Sequence, residues 1–266
     1  MLNVLKYIIL GIVQGITEPL PISSSGHMII TRHFIDIPST DYFLEIMLNF
    51  ASLIAIVIIY HKRIWVLITG NFNFVIKRNN MYRVQFDYLL LIIIGVIPAG
   101  IAGFLLKTFI EGTFLTLISV GISLLVTGIF LLVVQRQSIE NTKDMLTKKD
   151  ALFIGVFQVF ALLPGISRSG STFIGGLFRK LSFEKVLEFS FMLYIPISVA
   201  SMALEIPNIG NITHPIGPLL AAFLMSTVFT YLAFKLFVHV VKQGNLKYFA
   251  YYCFVVGIAS IVIYVI

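Results

Sequence analysis

Pro19-Leu20-Pro21-Ile22-Ser23-Ser24-Ser25-Gly26-His27 and Pro164-Gly165-Ile166-Ser167-Arg168-Ser169-Gly170-Ser171-Thr172 are the two segments on which the reading of this chain turns. Each follows an apolar run too short to cross a ~30 Å hydrocarbon core, which takes about 20 apolar residues. Tyr7 to Ile16 supplies ten residues and Ala151 to Leu163 thirteen. Half-length helices that stop in Pro-, Ser- and Gly-rich segments are expected to turn back inside the bilayer, giving re-entrant helical hairpins over 5–33 and 151–178. The two segments also resemble each other. A shift of 144 positions lays Gly11, Gln14, Ile22, Ser23, Ser25 and Gly26 on Gly155, Gln158, Ile166, Ser167, Ser169 and Gly170, six identities in sixteen positions without a gap.

The rest of the chain supplies full crossings. Of its 266 residues, 58% are hydrophobic and only 12% charged, against roughly 25% charged in an average soluble domain, and the mean hydropathy is +0.98. Too few polar groups are present to cover a globular surface, so an integral membrane protein is expected. Six runs are long enough to span: Tyr42 to Tyr60, Tyr88 to Leu106, Phe114 to Val134, Val186 to Leu204, Leu219 to Phe237 and Tyr248 to Ile266. Three follow each hairpin, and Leu44-Glu45 and Leu187-Glu188 recur 143 apart near the start of the first span of each set. A hairpin returns to its own side and three spans do not, so the second half enters the membrane upside down. The expected fold is an all-α polytopic membrane protein, a single membrane domain over 1–266. It is an inverted-topology repeat of six full transmembrane helices plus two re-entrant helical hairpins, with repeat one over 1–140 and repeat two over 145–266. Such folds place a site near the midplane, between two interrupted segments.

Positive charge orients the molecule. With hairpins, fifteen of the nineteen Lys and Arg fall on one side, among them Lys62, Arg63, Lys143, Lys148, Lys149, Arg179 and Lys180. Lys6, Arg32 and Lys107 fall on the other, and Arg168 lies inside the second hairpin. Eight full spans would instead divide the charges ten against eight, which is no bias. The basic loops are therefore expected in the cytoplasm and both termini outside, with the first hairpin entering from outside and the second from the cytoplasm. Basic loops against anionic membrane lipids account for the net charge of +7 without nucleic acid. The single cysteine, Cys253, allows no internal disulfide, and no basic n-region precedes the first apolar run, so no cleaved signal peptide is expected.

Irregular backbone at membrane depth must be buried in protein or line a watery cavity, so the two loops are expected to face each other or a pocket. Together they bring Gln14, Thr17, Glu18, Ser23, Ser24, Ser25, His27, Ser167, Arg168, Ser169, Ser171 and Thr172. Gly- and Ser-rich backbone presents N–H groups to phosphate oxygens, and Arg binds them bidentately. Gln14 and Glu18, four apart, share one helix face, and one or two carboxylates plus substrate phosphates is the usual way of holding Mg²⁺. The set reads as a metal-assisted phosphate site inside a membrane, suited to hydrolysis of a lipid-borne phosphoanhydride. Glu45 and Glu188 fit either pairing with Arg168 or the loops, or a place at the interface.

These same residues carry a resemblance. Gln14 to Glu18 with Pro21 to His27, Leu163 to Thr172, Glu188-Phe189-Ser190-Phe191, Pro196 and Ile97-Pro98 together resemble the undecaprenyl-diphosphate phosphatase family, UppP or BacA, over essentially the whole chain. The resemblance implies removal of the terminal phosphate of undecaprenyl diphosphate, recycling the carrier lipid of cell-wall synthesis in the bacterial plasma membrane and conferring bacitracin resistance. It implies a divalent cation, Mg²⁺ or Ca²⁺, with Gln14 and Glu18 as ligands and Glu18, Ser24, His27 and Arg168 as catalytic residues. Ser23, Ser25, Ser167, Arg168, Ser169 and Thr172 are then the phosphate-binding set. Ser24 could attack with His27 as base or acid, or His27 or Glu18 could activate water. The partner is a polyprenyl diphosphate lipid, and the oligomeric state stays open. Pro19, Asn49 and Ala51 depart from the common aromatic, Gln and Gly at those places without removing a group the chemistry needs. The alternative function is an inverted-repeat lipid carrier or flippase, a class in which two broken helices are common.

Overall fold

A computed structural model of the chain describes residues 2–35, 42–135, 142–205 and 215–266. Their regular structure is ten helices: α1 Leu2–Thr17, α2 Ser24–Ile35, α3 Tyr42–Val75, α4 Arg83–Thr113, α5 Leu117–Gln135, α6 Lys148–Phe160, α7 Arg168–Phe178, α8 Phe183–Glu205, α9 Ile216–Lys242 and α10 Lys247–Val265. A single 3-10 turn at Asn80–Tyr82 and an isolated bridge between Lys143 and Leu181 complete it. Six of the helices, α3, α4, α5, α8, α9 and α10, are long and apolar enough to cross a membrane, as the six runs anticipated. The chain is a multi-pass membrane protein. The repeat boundary expected over 140–145 falls partly outside the described residues.

Several helices outrun the apolar windows. Helix α3 has 34 residues, about 51 Å at ~1.5 Å per residue, so Lys62 and Arg63 lie within it rather than in a loop. Helix α1 has 16 residues rather than ten, since its first turn is made before the apolar run begins.

The short helices are broken at the expected places for identifiable reasons. Pro19 and Pro21 have no N–H to continue α1, and Ser23 takes a left-handed backbone, φ 68°. After α6, Pro164 and Gly165, at φ 94°, interrupt the chain in the same way. The aligned serines then start the next helix alike. Ser23 Oγ accepts from the Gly26 N–H at 3.3 Å, and Ser167 Oγ from the Gly170 N–H at 3.0 Å, each satisfying an orphan donor of the first turn. Their hydroxyls also lie 3.3 Å from Ser25 Oγ and 3.2 Å from Ser169 Oγ respectively.

Packing crosses between the halves. Helix α1 runs along α9, α6 along α4, and α5 along α10, with α3 against both α8 and α9. Glycine permits the closest of these approaches: a Cβ on Gly11 would collide with the Ala222 carbonyl oxygen, and one on Gly155 with that of Gly95. Small residues at helix crossings are what packing without a hydrophobic driving force requires. Between α3 and α9 the hydroxyls of Ser52, Ser226 and Thr230 bond one another at 3.1 and 2.8 Å, and Ser226 bonds the Leu48 carbonyl at 3.0 Å.

A polar clip closes the far end of the α6–α7 pair. Asp150 is fully buried and takes Lys143 Nζ at 2.7 Å, Thr147 Oγ1 at 2.6 Å and Arg179 Nε at 2.7 Å. Burial works against its ionisation, but the hydrogen bonds from Lys143, Thr147 and Arg179 outweigh it and hold the carboxyl well below the usual carboxylate range. Beside it the backbone of Lys143 bonds Lys180 and Ser182, at 2.8 and 3.1 Å.

Candidate active site

The two breaks meet. Glu18, the first residue past α1, is 6% exposed and collects three side chains. Gln14 Nε2 donates to its Oε2 at 2.9 Å, Ser24 Oγ donates to the same oxygen at 2.5 Å, and Arg168 Nη2 donates to Oε1 at 2.5 Å. Arg168 opens α7, and its guanidinium lies over the Tyr194 ring of α8, 3.7 Å from the centroid. Tyr194 in turn donates to the Asn49 carbonyl at 2.8 Å, so α3 and α8 brace the arginine. Arg168 Nη1 is buried with no hydrogen-bond partner among the described residues. A buried guanidinium nitrogen left unpaired is costly; an anion entering the site would satisfy it.

Other contacts lock the breaks together through backbone. Ser169 Oγ donates to the Leu20 carbonyl at 3.0 Å, Ser167 Oγ reaches the same oxygen at 3.4 Å, and Thr127 Oγ1 donates to the Gly165 carbonyl at 3.2 Å. Thr172 Oγ1 donates to the Arg168 carbonyl at 3.0 Å and Ser171 Oγ to that of Ser167 at 2.8 Å.

Of the residues singled out from sequence, Gln14, Glu18, Ser24 and Arg168 thus form one hydrogen-bonded cluster. Ser23, Ser25, Ser167, Ser169 and Thr172 lie around it, their hydroxyls turned to capping, to each other or to carbonyls. His27 is buried near the same turn, but neither ring nitrogen meets Ser24: Nδ1 faces the Ser23 carbonyl at 2.7 Å and Nε2 the Tyr252 hydroxyl at 2.8 Å. The hydroxyl of Ser24 belongs to Glu18. Glu45 and Glu188 pair away from Arg168. Glu188 binds Arg63 at 2.6 Å, and Glu45 lies 4.0 Å from Arg32. Tyr194 and Tyr252 are the site residues that sequence reasoning passed over, because nothing local distinguishes them among eleven tyrosines.

The two aligned segments are chemically lopsided. Leu162 occupies the place that Glu18 holds in the first half, so one segment brings the carboxylate, hydroxyl and imidazole and the other brings the guanidinium. Gln158, the counterpart of Gln14, is buried with both amide atoms unpartnered among the described residues.

The family model for bacitracin resistance protein BacA matches residues 7–259. The chain belongs to the BacA family. Relatives of this BacA chain include an undecaprenyl-diphosphatase of Oceanobacillus iheyensis, 40% identical over 269 residues, covering 98% of this chain and 96% of the relative. Undecaprenyl-diphosphatase 2 of Bacillus thuringiensis is 36% identical over 262 residues, 97% of each chain. Undecaprenyl-diphosphatase 1 of Halalkalibacterium halodurans is 36% identical over 257 residues, 96% of this chain and 94% of the relative.

Proposed function

We propose that this BacA-family chain hydrolyses undecaprenyl diphosphate to undecaprenyl phosphate and inorganic phosphate, recycling the carrier lipid of cell-wall synthesis and conferring bacitracin resistance. The observation that carries this reading is the junction at Glu18, where one buried carboxylate holds a hydroxyl and a guanidinium from opposite breaks. The activity for which the relatives are named supplies the substrate.

In this mechanism Ser24 Oγ passes its proton to Glu18 Oε2 and attacks the terminal phosphorus. The bond from that phosphorus to the bridging oxygen breaks, and the oxygen leaves with its electron pair as undecaprenyl phosphate. Glu18 gives its proton up to the departing lipid phosphate; water then attacks the phosphoserine, and Glu18 takes the water's proton and hands it to Ser24 Oγ as the Ser24–phosphorus bond breaks, releasing inorganic phosphate. Arg168 exchanges its hold on Glu18 for phosphate oxygens, Nη1 being already without a partner among the described residues, and stabilises charge on the transferred group.

The donor set suits a cation that arrives with substrate. Among the described residues no three of His, Cys, Asp and Glu gather to form a protein-only cage. Glu18 and the Oε1 of Gln14 offer hard oxygen ligands on one helix face, which a Mg²⁺ or Ca²⁺ ion would complete with phosphate oxygens and water. When bound, the ion would neutralise phosphate charge and polarise the phosphoryl group.

The same reading places the protein in the bacterial plasma membrane as an inverted repeat, with 5–33 and 151–178 as re-entrant hairpins, both termini outside and the basic loops on anionic cytoplasmic lipid. It is supported by the matched caps at Ser23 and Ser167, by α1 on α9 mirroring α6 on α4, and by the bridge that sets Lys143 beside Leu181 at the two ends of the second hairpin. Phosphate release from a C55 diphosphate by purified protein in detergent tests the activity. Release that EDTA abolishes is expected. No release at all would overturn the function, and full release in EDTA would overturn the metal.

A further inference from the structure

The imidazole of His27 is committed on both sides. Nδ1 lies 2.7 Å from the Ser23 carbonyl, which only accepts, so Nδ1 must carry a proton. In the neutral ring Nε2 is then an acceptor, and the Tyr252 hydroxyl 2.8 Å away must donate to it. The two rings also stack, with centroids 5.5 Å apart and planes 10° from parallel. The carbonyl that His27 grips belongs to Ser23, the non-glycine residue at φ 68° immediately before Ser24. A side chain in that region is strained and persists only where its surroundings hold it. The chain of contacts therefore runs from α10, through His27, to the strained turn that aims Ser24 at Glu18.

We propose that Tyr252 is a positioning residue of the reaction: by donating to Nε2 its hydroxyl holds the His27 ring in the orientation in which Nδ1–H clamps the Ser23 turn and presents Ser24 to Glu18. The assignment rests on the phosphatase reading above. It gives α10, which contributes none of the motif residues, a direct part in the site.

The experiment compares wild type, Tyr252→Phe, His27→Ala and the double variant in detergent, on C55 diphosphate, with ¹⁵N-histidine spectra of wild type and Tyr252→Phe. Phe keeps the stack and removes one hydrogen bond, so kcat is expected to fall about tenfold, the worth of one such bond, with KM changed less than about twofold. In the spectra the His27 Nε2 signal, assigned by its loss in His27→Ala, is expected to shift as that acceptor nitrogen loses the hydrogen bond from Tyr252. In the His27→Ala background, Tyr252→Phe is expected to cost nothing further. Unchanged kcat in Tyr252→Phe, an unchanged Nε2 signal, or a full additional loss in the double variant would each overturn the proposal. Inactive wild-type protein would instead overturn the phosphatase reading itself.

Discussion

Glu18 accepts three hydrogen bonds while almost wholly buried, and each donor has its own consequence when removed. Glu18→Gln keeps the shape and loses the proton acceptor, so turnover is expected to fall about 10²- to 10⁴-fold, the range for losing a general base. Ser24→Ala leaves the carboxylate in place but removes the attacking oxygen. Its turnover is expected to collapse by a similar factor, and the phosphoserine that mass spectrometry of acid-quenched wild type should show at position 24 would be missing. A Ser24→Ala protein with wild-type phosphate release would show that water attacks directly. Arg168→Lys retains the charge yet gives up both the planar fork and the Tyr194 stack at 3.7 Å. A hydrogen bond to a charged group is worth about 1.5–3 kcal/mol, so a loss of about 10- to 100-fold in kcat/KM is expected, and an active Lys variant would remove phosphate recognition from Arg168.

At the scale of elements, the α6–α7 pair is held at one end by Asp150 and at the other by Ser167 and Ser169 on the Leu20 carbonyl. Because the native carboxyl of Asp150 sits below its ordinary value of 3.8, its ionisation favours the folded state. That contribution is fully present at neutral pH and is lost as pH falls below the ordinary value and through the native one. Asp150→Asn is therefore expected to melt about 2–4 °C below wild type at pH 7, with the gap narrowing below about pH 4. A gap independent of pH in detergent melting curves would deny the carboxylate this role. The elements show what a sequence discloses. Both breaks were legible, because Pro19, Pro21 and Pro164 lack donors and Ser23 and Ser167 are natural caps. The cluster of Glu18, Ser24 and Arg168 was legible because charge inside a short apolar helix pair is scarce. The length of α3 was hidden, since hydropathy marks the apolar part of a helix and Lys62 and Arg63 continue it. Tyr252 was hidden for another reason: it lies 225 residues from His27, and only the packing of α10 joins them.

For the whole molecule, the decisive question is how many times the chain crosses the bilayer. If α6 and α7 form a hairpin, residues on either side of the pair lie on one face; if the broken pair together made one full crossing, they would lie on opposite faces. Met145 and Lys185 flank the pair and are exposed, and Ile266 ends the chain at 99% exposure. Cys253 is buried and is the single cysteine, so a Cys253→Ser background permits one new thiol at a time. If the basic loops are cytoplasmic, as proposed, Met145→Cys and Lys185→Cys are expected to react with a membrane-impermeant maleimide only after cells are opened. Ile266→Cys is expected to react in intact cells. Labelling of positions 145 and 185 from opposite sides would replace the hairpin by a single full crossing. The inverted relation of the halves would fall with it, because the odd number of crossings between the first break and the second depends on each break returning to its own side.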